Sequence, residues 1–292
     1  VIDDVLAERI RNYGPANAIE QESVLAELVQ HYVLASLSRA RFFTKACFHG
    51  GTCLRILYGM SRFSEDLDFL LKRPDPGFEW RPYVDRVLRD GQDEGLAFEV
   101  QDKAGVRQAV KKVFLKTDSV GQILTVELPF SRHAAKKIRI KLEIDTSPPA
   151  GSSFETRYIT FPATAAITCQ TLQSGFALKS HALLCRGYTK GRDWYDFLWY
   201  VSKRVSPQLD LVGRALAQVG PWAGQDVEVT PEWYLGAMRN RIGEIDWEKA
   251  RLDVSRFVPA GEQESIALWS HDLFLYHLDR LAGYFAAPND SQ

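Results

Sequence analysis

The chain has 292 residues, 46% hydrophobic and 25% charged, the balance of a folded globular protein with room for one large or two smaller domains rather than a disordered chain. A net charge of −1 argues against a uniformly basic nucleic-acid binder, so any such contact must come from a local patch. The four cysteines contain no C-x-x-C pair, which argues against a zinc cage or disulfide framework and suits a reducing, cytoplasmic setting.

Residues 1–12 set Asp3, Asp4 and Glu8 among apolar residues, unlike the basic-then-apolar pattern of a secretory signal. No stretch approaches the roughly 18–20 apolar residues that span a bilayer, so no membrane partner is expected. Residues 22–43 place Leu25, Leu28, Tyr32 and Ala35 at three- and four-residue spacing, with Val24 and Val29 widening the stripe, which predicts an amphipathic helix. A short strand over 46–49 is broken by Gly50-Gly51, and a helix follows over 53–58. Residues 65–72 alternate as a strand with one charged edge and end in a Pro/Gly loop over 74–77.

A helix is predicted over 80–94, then strands over 96–101, 109–116, 122–128 and 137–145. The breaker run 147–153 precedes a strand over 157–161, and the domain boundary is placed near Pro162. One more strand over 167–172 leads into helices over 175–186, 193–203, 209–219, 232–242 and 262–285. No internal repeat is present. The expected fold class is therefore α+β: residues 1–161 form a mixed core with leading helices, and residues 162–292 a mainly helical domain.

Residues two apart on a strand share a face, so Asp66 and Asp68 project together while Leu67 and Phe69 turn to the core. Like charges held side by side call for a cation, and paired carboxylates with substrate phosphates suit magnesium. The glycine pair before them lies at a strand-to-helix turn, where backbone N–H groups and the helix dipole can cradle phosphate; a plain tight turn with Thr52 as a helix cap is the bland alternative. Neither a Walker motif nor G-x-G-x-x-G is present there. In 138–145, Lys141, Glu143 and Asp145 share one face; Glu143 is favoured as a third carboxylate, because Asp145 sits where it can close the turn at Thr146-Ser147-Pro148.

The run F-H-G-G-T-C-L-R-I-L-Y-G, followed by R-F-S-E-D-L-D-F, resembles the AbiEii/AbiGii toxin family of nucleotidyltransferases, which includes the MenT toxins. The likeness continues through the carboxylate strand over 140–145, the helix A-L-K-S-H-A-L-L around Lys179, and K-x-R-D-x-x-D from Lys190 to Asp196, covering about 46–200. It implies a DNA-polymerase-β-like nucleotidyltransferase core with a helical C-terminal domain, acting as the toxin of a toxin–antitoxin system in abortive infection and phage defence. By the same resemblance Asp66, Asp68 and Glu143 hold Mg2+, or Mn2+ in its place, and Lys179 and Asp196 join them as catalytic residues. Gly50, Gly51, Thr52, Arg55, Ser64, Lys190, Arg192 and Asp193 bind the NTP. The implied acceptor is the 3′ end of tRNA, and the implied regulator a cognate antitoxin protein.

Other readings stay open at this level. The same metal site serves a protein-modifying, adenylylating enzyme, and a non-catalytic nucleotide- or RNA-binding module is a different class again. A basic stripe of Lys103, Arg107, Lys111, Lys112, Lys116, Arg132, Lys136, Lys137 and Arg139 serves either RNA phosphates or a solvated strand face. Trp222, Trp233, Trp247 and Trp269 belong to a partner surface or to core packing.

Overall fold

In the computed structural model, residues 2–102, 119–131 and 134–286 are described, with side chains over 5–100 and 138–285. They divide into two compact units, one within Val1–Pro148 and Phe154–Cys169, the other within Pro149–Ser153 and Gln170–Gln292. Pro162, the boundary expected from sequence, lies between two strands of the first unit's sheet. The strand expected over 109–116 and the basic residues Lys103, Arg107, Lys111, Lys112, Lys116 and Arg132 lie outside the described residues, whereas Arg139 is exposed.

The first unit opens with helices α1 (Ile2–Tyr13) and α2 (Ala18–Arg39), then β1 (Ala46–His49), α3 (Gly50–Tyr58), β2 (Asp66–Leu71) and α4 (Arg81–Asp93). Strands β3 (Phe98–Asp102), β4 (Ser119–Ser131), β5 (Ala134–Asp145), β6 (Phe154–Ile159) and β7 (Ala165–Gln170) follow. Among the described residues, seven strands form one mixed sheet in the order β3-β4-β5-β2-β1-β7-β6. The hairpin β4–β5 and the pairs β3–β4 and β1–β2 are antiparallel, while β2–β5 and β1–β7 are parallel.

Alternation along these strands sorts the sheet's faces. Phe48, Leu67, Phe69, Leu71, Ile140, Leu142 and Ile144 are buried in one core with Val29, Val33 and Leu37 of α2. Phe42 anchors this core: it stacks on Trp80 at 5.3 Å between ring centroids and meets Phe69 edge-on at 4.9 Å, a burial worth about 2–3 kcal/mol. Helix α2 starts where Asn17 accepts from the Glu20 N–H at 2.9 Å and the Glu20 carboxylate accepts from Ala16 at 2.6 Å, a reciprocal cap.

The second unit holds α5 (Leu172–Cys185), α6 (Gly191–Ser202), α7 (Leu209–Gln218), α8 (Pro231–Gly243), α9 (Trp247–Ser255), the short α10 (Gln263–Ala267) and α11 (His271–Ala286). The single helix expected over 262–285 is broken at 268–270: Trp269 is buried, and the Ser270 hydroxyl accepts from the Leu273 N–H at 3.3 Å to start α11 afresh. Gly191 is required by packing, since a Cβ there would lie 1.9 Å from the Ala250 carbonyl oxygen of α9. Trp247 stacks on Phe274 at 4.0 Å and Trp222 meets Trp233 at 5.7 Å, so these tryptophans pack within the helical unit. No helix among the described residues is long and apolar enough to cross a membrane.

His31 of α2 packs edge-on against Phe161 at 6.1 Å, and burial, outweighing a backbone hydrogen bond with Phe161, lowers its pKa to about 4, with Arg9 and Arg55 adding to the shift. The unfolded chain therefore takes up this proton first, near the ordinary value of 6.5, and the folded state resists it until about 4. Stability from this group is complete above the ordinary value and falls as pH drops through that window, by on the order of 2–3 kcal/mol. Urea unfolding at pH 7 and pH 4.5 is expected to show a smaller pH loss for His31→Gln than for the wild type; equal losses would mean that His31 is not held neutral.

Candidate functional site

The corner between β1 and α3 is built on two glycines with different tasks. Gly50 adopts φ +79°, which lets the chain pass from strand to helix without a loop, and a Cβ there would lie 2.9 Å from Asp68 Oδ2. At Gly51 a Cβ would lie 2.4 Å from Arg62 Nη2 and 3.1 Å from Ser64 Oγ. The N-terminus of α3, which no side chain caps, thus faces a carboxylate on one side and a guanidinium and a hydroxyl on the other.

Thr52 is not the cap of this helix. Its side chain is buried and its hydroxyl donates to the Asp66 carbonyl, tying α3 to the start of β2. Arg55 is held by Glu27 at 2.7 Å and donates to the Met60 and Ser61 carbonyls, so it fixes the turn after α3. From behind, the buried amide of Gln30 donates to the Ser64 and Glu65 carbonyls, each at 3.0 Å, and sets the segment that carries Ser64.

The parallel register of β2 with β5 places Asp66 beside Lys141, Asp68 beside Glu143 and Leu70 beside Asp145. His49 faces Asp68 from β1. The Asp145 Oδ1 accepts from the Ser147 N–H at 3.1 Å, the turn closure expected of it, while Glu143 stands next to the acid pair. Among the described residues no three His, Cys, Asp or Glu side chains are grouped so as to hold a metal ion. Lys141 instead lies among the acids, its Nζ 2.6 Å from Glu143 Oε1 and 3.9 Å from Asp66 Oδ2. Partial burial opposes the Lys141 charge, but Glu143, Asp66 and Asp68 outweigh it and raise its pKa.

In the second unit, α5 and α6 bring together the other motif residues. Lys179 Nζ lies 2.6 Å from Asp193 Oδ1 and 2.8 Å from Asp196 Oδ2, and both acids are buried. Arg186, at the C-terminus of α5, adds a contact of 3.2 Å to Asp193 Oδ2. Burial alone would raise the Asp193 carboxyl, yet Lys179, Arg186 and Lys190 hold it below the usual carboxylate range. Lys190 shifts down, chiefly through burial, with Lys179, Arg186 and Arg192 lowering it further against Asp193. The Arg192 guanidinium packs over the Phe257 ring at 4.2 Å, and its backbone N–H points to Asp253.

Three residues of these clusters escaped the sequence reading. Arg62 heads the R-F-S-E-D-L-D motif but was given no task. Lys141 was placed on the acid face without a partner, because strand register is invisible in one sequence. Arg186 follows Lys179 by two helical turns, a spacing that puts both on one face.

A family model described as the nucleotidyl transferase AbiEii toxin of type IV toxin–antitoxin systems matches residues 32–275. Two crystal structures from Helicobacter pylori are similar in fold, one of a protein assigned as a nucleotidyltransferase and one of the protein JHP933. Each is 15% identical with a TM-score of 0.50 over 90% of this chain, and the alignments cover 94% and 91% of those chains respectively. A search of the curated proteins finds no match.

Removing Asp193 would leave Lys179, Arg186 and Lys190 with Asp196 as the one buried acid of the cluster. Asp193→Ala is expected to cost about 3–5 kcal/mol in chemical unfolding of the full chain. A loss below about 1 kcal/mol, the range of exposed pairs, would show that the cluster is open to water.

Proposed function

The chain belongs to the AbiEii family of nucleotidyl transferase toxins of type IV toxin–antitoxin systems, and from that membership we propose how its own residues carry the reaction. The enzyme is a nucleotidyltransferase with an NTP as substrate, and family membership brings an antitoxin as partner. The sheet of the first unit is read as a DNA-polymerase-β-like core. The observation that carries the site assignment is the acid row: Asp66 and Asp68 on one face of β2, Glu143 beside Asp68 in β5, and Gly50 directly under Asp68.

Gly50 and Gly51 at the N-terminus of α3, with Ser64 and Arg62 beside them, bind the triphosphate through backbone N–H groups, a hydroxyl and a guanidinium. Thr52 and Arg55 serve the same site by fixing its frame. The acid row fits a magnesium ion: its donors are carboxylate oxygens only, and a cation, the Lys141 ammonium, is already stabilised among them. Asp66 and Asp68 would hold this ion together with substrate phosphates, Glu143 would join them on release from Lys141, and Mn2+ would serve as its substitute. When bound, the ion supplies neutralisation of phosphate charge.

The acceptor hydroxyl oxygen forms a bond to the α-phosphorus, the bond to the bridging oxygen breaks, and pyrophosphate leaves. Glu143 takes the proton of the attacking hydroxyl. Within the second unit, Lys179, Lys190 and Arg192 form a phosphate-handling cluster oriented by Asp193 and Asp196. The acceptor we favour is the 3′ end of tRNA, whose blockage stops translation in the cytoplasm; membership in a toxin family supports this reading.

The test is incubation of the purified protein with Mg2+, each labelled NTP in turn and a total tRNA pool, with Asp66→Ala and Asp68→Ala in parallel. Labelled RNA is expected, with a loss on the order of 10³-fold in either variant while circular dichroism stays unchanged. Label on protein instead would move the acceptor to a protein hydroxyl. Nucleotide binding without transfer to either would overturn the catalytic reading.

A further inference from the structure

The acid row contains a cation of its own. Lys141 and Glu143 are two apart on β5, so their contact alone is what any strand face permits. What sets this lysine apart is the cross-strand arrangement: the parallel register puts Asp66 directly beside Lys141 and Asp68 directly beside Glu143, so one ammonium serves carboxylates from two strands.

This ion cluster differs in kind from the one around Lys179. There the lysine side chain is 14% exposed and its two acids 4% and 0%, so separating them would strand charges away from water. In the acid row the side chains of Lys141, Asp66 and Glu143 are 30%, 38% and 36% exposed. Ion pairs this open to water are weak, and one cation can leave while another arrives without a naked buried charge in between. The row is also anchored independently of the lysine: β2 is tied to α3 through Thr52, and Gln30 holds the segment before it.

We infer that Lys141 is the resident counter-ion of Asp66, Asp68 and Glu143, and that a divalent cation enters the row by exchange with its ammonium. The inference rests on the nucleotidyltransferase reading of this site. An ammonium and a metal ion compete for the same oxygens of Glu143 and Asp66, so the lysine weakens divalent binding while no nucleotide is present. A triphosphate offers the displaced ammonium new oxygens, so nucleotide and divalent ion each strengthen the binding of the other. Lys141 is thereby a positioning residue that makes loading of the ion depend on the substrate.

The experiment measures Mn2+ binding to the full chain by calorimetry or electron paramagnetic resonance, with and without a non-hydrolysable triphosphate. It compares the wild type, Lys141→Met, Lys141→Arg and Asp66→Ala. Without nucleotide, Lys141→Met is expected to bind Mn2+ about 10-fold more tightly than the wild type, and the gain in affinity on adding the triphosphate to shrink by a similar factor. Lys141→Arg, which keeps the charge, is expected to stay near the wild type and to show that a change in Lys141→Met is not a folding defect. If Asp66→Ala abolishes Mn2+ binding while Lys141→Met binds no more tightly than the wild type, the exchange is overturned and the metal site stands. If Mn2+ binding is the same in Asp66→Ala as in the wild type, with or without triphosphate, the reading of the site itself falls, and the exchange with it.

Discussion

The parallel pairing of β2 with β5 is the constraint on which the first unit depends. Parallel neighbours cannot be joined by a tight turn, so the chain leaves β2, builds α4, β3 and β4, and returns through β5. The register reached on that return decides two things together: Leu67 and Phe69 meet Leu142 and Ile144 on the core face, and Asp66 and Asp68 meet Lys141 and Glu143 on the other. A slip of one residue would expose the first set and bury the second. Packing beneath the sheet and the acid row above it are thus set by one alignment.

Much of this was legible in the sequence, and the reasons are local. Alternation in 65–72 and 138–145 separated apolar from charged faces, and the Gly50-Gly51 break marked the strand-to-helix turn. What needed distant partners was not legible. No periodicity pairs Asp68 with Glu143, since that alignment arises from strands far apart in the chain. The range of helix α1 went unread because only Leu6 and Ile10 are buried among its described side chains, and α9 because Ala250 and Val254 are its buried residues while Leu252 is exposed. The break before α11 reflects tertiary burial of Trp269 overriding a continuous helical pattern.

The two ion clusters show how burial assigns different work to similar residues. Around Lys179, closed contacts with Asp193 and Asp196 knit α5 to α6, and Gly191 lets α6 approach α9 closely enough to complete the packing. In the acid row, solvent reaches every partner, so the charges remain available for exchange. Of the two lysines within the stretch of family likeness, Lys179 is thus locked between buried acids, while Lys141 lies where solvent reaches it.

The tie from the Thr52 hydroxyl to the Asp66 carbonyl bears on the speed of encounter. It joins the first turn of α3 to the first residue of β2, and the Gln30 amide pins the segment between them from behind. Under the nucleotide-binding role proposed for this corner, an arriving phosphate would meet backbone donors already in place, so little protein ordering would have to accompany its capture. Association under that proposal would be paced by diffusion and orientation rather than by a slow rearrangement of the loop.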